Sequence, residues 1–168
     1  MDFSKFKTHD WLVIGGGLGM FIFGLFLDWA SIDMGPLGSY SDGNAFDWFR
    51  GWLSWLLVIG AAVIVVLRVM GTLKDNLPWP LILIGATGLA TLLMLLLVLL
   101  GPDKEGVDLG RGIGLWLSFL STLAALAGAV MGFMAGGGDL NDLRDMNKIK
   151  GSFRGADDTP PPPPPPAI

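Results

Sequence analysis

Side chains able to do chemistry are few in this chain, and they are scattered. His9 is the one histidine and stands beside Asp10. An imidazole next to a carboxylate can move a proton, but catalysis also needs a nucleophile or a polarising group, and neither neighbours the pair. Asp28, Asp33, Asp42 and Asp47 fall in one polar stretch. Hard cations take several such oxygens, yet the spacing is not that of an EF-hand loop, and a solvated loop is the expectation. The chain has no cysteine, which excludes disulfides, thiolate catalysis and Cys-based metal sites. No catalytic residue, metal or cofactor is assigned, and the expectation is a non-enzymatic protein.

The cluster Gly15-Gly16-Gly17-Leu18-Gly19 invites a phosphate-loop reading. Such a loop needs a preceding strand and a following Lys-Ser/Thr, and the sequence supplies neither. Gly15 and Gly19 are expected instead to admit a neighbouring helix backbone. Hydroxyls at Ser54, Thr87, Thr91, Ser118, Ser121 and Thr122 interrupt otherwise apolar runs. They could line a solute path, but such groups more often bond to the carbonyl of the preceding turn.

The elements that must position these residues are four long apolar segments. A span needs about 20 mostly apolar residues. Residues 11–27, 52–71, 79–100 and 113–135 qualify, and Arg68 is the only charge within them. The runs lack the period-2 alternation of barrel strands. Hydrophobic residues make up 52% of the 168 and charged residues 15%, which leaves little for a soluble domain. The sequence therefore predicts an all-α integral membrane protein of two helical hairpins. Its parts are a tail over 1–10, a four-helix transmembrane domain over 11–138 and a second tail over 139–168.

Orientation follows from basic residues near the span ends. Lys5, Lys7, Arg68, Lys74, Arg144, Lys148, Lys150 and Arg154 fall on one side, and only Arg50, Lys104 and Arg111 on the other. Both termini are expected in the cytoplasm, with a bacterial inner membrane as the location. The first segment is read as a retained helix, because Asp28-Trp29-Ala30 is a poor cleavage site for a signal peptide. The net charge of −4 and the lack of a basic stripe give no reason to expect nucleic acid.

Two hairpins share a spaced pattern, Asp-x-x-Arg-Gly-x-x-x-Trp-Leu. It reads Asp47, Arg50, Gly51, Trp55, Leu56 and again, 61 residues on, Asp108, Arg111, Gly112, Trp116, Leu117. A parallel internal duplication is the expectation. Each aspartate would favour a helix N-terminus, and each arginine would pair with it at one-turn spacing. The tryptophans would lie in interfacial belts: Trp29, Trp48, Trp52 and Trp55 on the outer side, Trp11 and Trp79 on the inner.

Ala124, Gly128, Gly132 and Gly136 recur every four residues along one stripe. This predicts close helix packing, within the bundle in preference to a homodimer. Past it, residues 139–159 carry weakly patterned apolar residues that Asp139 could cap. The chain closes on Pro160 to Pro166, a run that favours polyproline II. Such a tail either spaces or docks in an aromatic groove, so a polyproline-binding partner is one expectation and a disordered spacer the other.

Asn44-Ala45-Phe46-Asp47, downstream of Phe26-Leu27-Asp28-Trp29, resembles an element of small four-span membrane proteins of actinobacteria, with Asp28 standing where that pattern has proline. The resemblance implies lineage and topology and adds no activity. The functional expectation is an accessory or scaffold subunit of a membrane or cell-envelope complex; the alternative is a small oligomeric transporter or channel. Expected partners are the bilayer and either other membrane proteins or further copies of the chain.

Overall fold

A computed structural model describes residues 3–33, 35–73, 77–104 and 107–153. The run Pro160 to Pro166 and the basic residues Lys74 and Arg154 lie outside these. The chain is mostly helical, with α1 (Thr8–Phe26), α2 (Phe49–Val69), α3 (Trp79–Leu100) and α4 (Ile113–Ala135) each long and apolar enough to cross a membrane. The helices begin earlier than the apolar runs alone suggest. α1 starts at Thr8, with the Asp10 carboxylate accepting from Lys7 N at 2.9 Å, and α2 starts at Phe49. Pro78 and Pro80 open α3, where amides have no helical partner to lose.

The helices form an antiparallel ring. α1 packs on α2 and α4, and α3 packs on the same two, with only slight contact across the α2–α4 diagonal. The α1–α4 seam is built on small residues. A Cβ on Gly16 would lie 2.6 Å from Ser121 O, and one on Gly128 2.7 Å from His9 O, so backbone meets backbone at both levels. Gly19 abuts Ser121 Oγ, and Gly17 seats Ala62 of α2. The expected stripe is thus used within the bundle at Gly128. Gly132 faces only the His9 ring, Gly136 only its own helix, and Ala124 is half-buried. Gly15 departs from expectation: a Cβ there meets nothing within 4 Å, and the contacts belong to Gly16 and Gly17 instead.

The core has two tiers. Val13, Ala61, Val65, Leu83 and Ala129 fill the half nearer the N-terminus. Met20, Val58, Met94, Leu97, Leu115 and Ala125 fill the other, continuous with a cap of loop residues. The Leu-rich α3 is two-faced: Met94, Leu97 and Val98 are buried, while Leu92, Leu96 and Leu99 are exposed. All the core hydroxyls but Ser118 bond backbone, most of them to the preceding turn. Thr87 Oγ1 donates to Leu83 O at 2.7 Å, and Ser121 Oγ to Leu117 O at 2.9 Å. Two also reach across helices, Ser54 Oγ to Ala90 O at 3.1 Å and Thr91 Oγ1 to Thr122 O at 3.2 Å.

The loops at the far end hold more order than turns. β1 (Ala30–Asp33) pairs antiparallel with β2 (Ser39–Asp42); β3 (Asp103–Lys104) pairs with β4 (Val107–Asp108); β5 (Gly110–Arg111) adds to the free side of β1. One three-stranded sheet therefore joins both hairpins. At the other end, Asp139 accepts from Asn141 N and caps a 3-10 turn, and Asp145 caps the short α5 (Met146–Phe153) in the same way.

The seam predicts a contrast between adjacent glycines. Gly16→Ala should cost about 1–3 kcal/mol by overpacking. Gly15→Ala should be neutral or stabilise by up to about 1 kcal/mol through helix propensity. Unfolding of the detergent-solubilised chain measures both, and equal effects would contradict the assigned seam.

Candidate functional site: the cap joining the hairpins

Trp29 organises the cap. It is the largest fully buried side chain. Its indole N–H donates to Phe23 O at 3.0 Å, which uses a carbonyl freed at the C-terminal end of α1. Its ring stacks on Trp48, with centroids 6.4 Å apart and planes 5° from parallel. Its backbone engages both loops. Trp29 N donates to Gly43 O, and Trp29 O accepts from Gly112 N, each at 2.9 Å. One residue earlier, Asp28 O accepts from Gly114 N at 3.0 Å and thereby satisfies an amide in the first turn of α4. Trp29 and Trp48, expected in an interfacial belt, are core residues instead. Trp11 and Trp116 are the ones that face outward.

Glycines make the approach possible. A Cβ on Gly51 would lie 2.5 Å from Ala45 O and 2.8 Å from the Trp29 ring. One on Gly112 would overlap Asp28 O, and one on Gly114 would lie 2.6 Å from Leu27 O. Gly51 and Gly112 are matched positions of the repeated pattern, and they close on the Asp28–Trp29 segment from two sides. Gly43 has φ +87, a conformation that favours glycine, and its α-carbon faces the Trp48 ring.

Asn44-Ala45-Phe46-Asp47 is the elbow that turns the chain into α2. Asn44 Oδ1 accepts from Phe46 N at 2.9 Å, and Asp47 Oδ2 accepts from Asn44 N at 2.8 Å, the reciprocal bonding of a capping box. Ala45 is fully buried beneath it. Asp42 is likewise used locally, with Oδ1 accepting from Gly43 N at 2.7 Å. The acidic side chains Asp42 and Asp47 thus serve turns. Asp28 is exposed, and the side chain of Asp33 lies outside the described residues.

The matched arginines do different work. Arg50 lies in the first turn of α2. Arg111 lies on β5, before α4 begins, and reaches the far end of α3. Its Nε donates to Val98 O and its Nη2 to Leu99 O at 2.9 Å. Those carbonyls lack helical partners, and a cation at a helix C-terminus is favoured by the dipole. Arg111 thus caps the end of α3, and the Asp108 side chain expected to pair with it lies outside the described residues. Sequence reasoning missed both this cap and the burial of Trp29. The pair Gly112-x-Gly114 at a helix start was the available sign that a backbone crosses there. Gly15, Gly19, Ala124, Gly128, Gly132 and Gly136 lie in the bundle, and the structure does not bring them to the cap.

Chemically, the cap can hold a shape and present a surface. Tyr40, Phe46 and Phe49 are exposed on it, and β2 is an edge strand with all four residues exposed. Among the described residues, no group of three or more His, Cys, Asp or Glu side chains could hold a metal ion. Comparison with protein families, curated proteins and solved structures gives no match for this chain.

The asymmetry of the arginines is testable. Arg111→Gln should destabilise by about 1 kcal/mol, since two charge-assisted bonds to helix-end carbonyls are lost at a partly exposed site. Arg50→Gln should cost less than about 0.5 kcal/mol. Chemical unfolding of the two variants decides, and the reverse order would refute the capping role.

Proposed function

We propose that the chain is an integral membrane protein with both termini in the cytoplasm. It serves, without catalysis, as an accessory or scaffold subunit of a membrane or cell-envelope complex. What carries the membrane placement is a belt of large apolar side chains exposed on all four helices. Leu18 and Phe21 lie on α1, Leu56 and Val63 on α2, Leu92 and Leu99 on α3, and Leu120 and Met131 on α4. Water does not tolerate so much contiguous apolar surface, whereas hydrocarbon does. The eight-to-three bias of basic residues supports the orientation.

The scaffold role is supported by how the polar groups are spent. Core hydroxyls other than Ser118 are bonded to carbonyls, and Trp29 and its neighbours in the cap bond one another. The exposed aromatics and open edge of the cap are a surface on which a partner could dock. The two hairpins descend, in this view, from one duplicated unit whose second helix now starts later. Gly51 lies within α2, whereas Gly112 precedes α4, yet both seat on the same segment. The polyproline tail is read as a cytoplasmic spacer or ligand. A second reading, a small oligomeric channel, draws on Ser118 Oγ and Trp55 Nε1. Both are buried without a hydrogen-bond partner among the described residues, and both are sites where a polar path could begin.

Single cysteines test the topology against a clean background. A membrane-impermeant thiol reagent applied to intact cells should label Ser39→Cys and leave Ser4→Cys unlabelled; the opposite pattern overturns the orientation. Purification of a tagged chain in mild detergent should recover a stoichiometric partner, lost when Tyr40 and Phe46 are changed to serine. A lone oligomer that conducts a solute would favour the channel instead.

A further inference from the structure

At the end of the bundle opposite the cap, an open cavity of about 270 Å³ lies between the start of α1 and the ends of α2 and α4. Lys5, Lys7, His9 and Arg68 line its polar wall, and Gly132 and Gly136 leave its floor without side chains. A crevice of only about 20 Å³ lies beneath, between Val13, Val65 and Leu83 and the side chains of His9, Asp10 and Arg68. Among the described residues, Asp10 is the one carboxylate on the wall. It is already engaged, accepting from Lys7 N at 2.9 Å and lying 3.6 Å from His9 Nε2. Three permanent cations therefore converge on one concavity, from two separate elements, against a single committed anion. Lys5 and Lys7 come from the segment ahead of α1, and Arg68 from the last turn of α2.

We propose that this cavity binds a phosphate-bearing anion, coordinated by Arg68, Lys7 and Lys5. Like charges gather in this way at a cost that an anion removes. The guanidinium of Arg68 offers a planar fork matched to phosphate oxygens, and the lysines add point charges. The N-terminus of α1, a helix of 19 residues, adds its unpaired amides and dipole on the same side. The shared chemistry fits either of two sources, an anionic phospholipid headgroup at the membrane face or a soluble phosphate. Basic pockets between helices at a membrane face suit such headgroups.

The test uses the purified full chain in nonionic detergent, with thermal unfolding followed against inorganic phosphate and, separately, in nanodiscs of phosphatidylcholine with and without phosphatidylglycerol. Saturable stabilisation by phosphate identifies a soluble source, and stabilisation by phosphatidylglycerol alone identifies the headgroup; either supports the site. Lys7→Gln/Arg68→Gln should weaken that binding roughly 30-fold, each basic residue near an anionic headgroup being worth about fivefold. Arg144→Gln removes a charge from the same end but outside the cavity, and should change binding by less than about twofold. The charge-preserving pair Lys7→Arg/Arg68→Lys controls for folding and should retain most of the affinity. The proposal is overturned if neither probe stabilises the native chain. It is also overturned if Arg144→Gln weakens binding as much as the cavity variant does.

Discussion

An indole cannot be sealed inside a protein unless its N–H finds a partner, and the burial of Trp29 sets the terms for the whole cap. Phe23 O provides that partner because it lies in the last turn of α1, where carbonyls are left over. With the ring fixed, the backbone on either side of it is fixed too. Its N–H and C=O then reach Gly43 and Gly112, one in each loop. Within the cap, the link between the two loops is therefore made by main chain. A three-stranded sheet follows as a consequence, since β1 is already held between β2 and β5.

Close main-chain contact explains the distribution of glycine better than flexibility does. Gly51, Gly112 and Gly114 stand where the Asp28–Trp29 segment crosses helix starts, and Gly16 and Gly128 where α1 meets α4. The same economy governs charge. Arg111 spends its guanidinium on the end of α3, and Asp47 spends its carboxylate on Asn44 N. These two side chains serve the cap's own main chain, whereas Lys5, Lys7 and Arg68 line a cavity at the other end.

The helices were legible in the sequence because hydrocarbon thickness demands long apolar runs, and those at 79–100 and 113–135 match α3 and α4. The cap was not. β1 spans only Ala30–Asp33, too short for alternation to stand out, and Trp29 next to a span end looks like any interfacial tryptophan. Only the fold shows that the chain turns inward there. The repeated pattern was visible, but identity of residues did not fix their roles. Arg50 falls inside α2, whereas Arg111 precedes α4 and bonds the carbonyls of α3. The stripe on α4 was found by spacing, whereas the choice of Gly16 over Gly15 depends on helix rotation, which the sequence does not display.

Hydrogen exchange at Gly112 and Gly114 tests the central claim most directly, because their amides donate to Trp29 O and Asp28 O. Compared in the native chain and in Trp29→Ala, both amides should be protected at first. They should then lose protection together with Trp29's other loop contacts when the indole is removed, while the mid-bundle amides of α4 stay slow. Protection at Gly112 and Gly114 that survives Trp29→Ala unchanged would contradict the account, since the two loops of the cap would then be held together by something other than this residue.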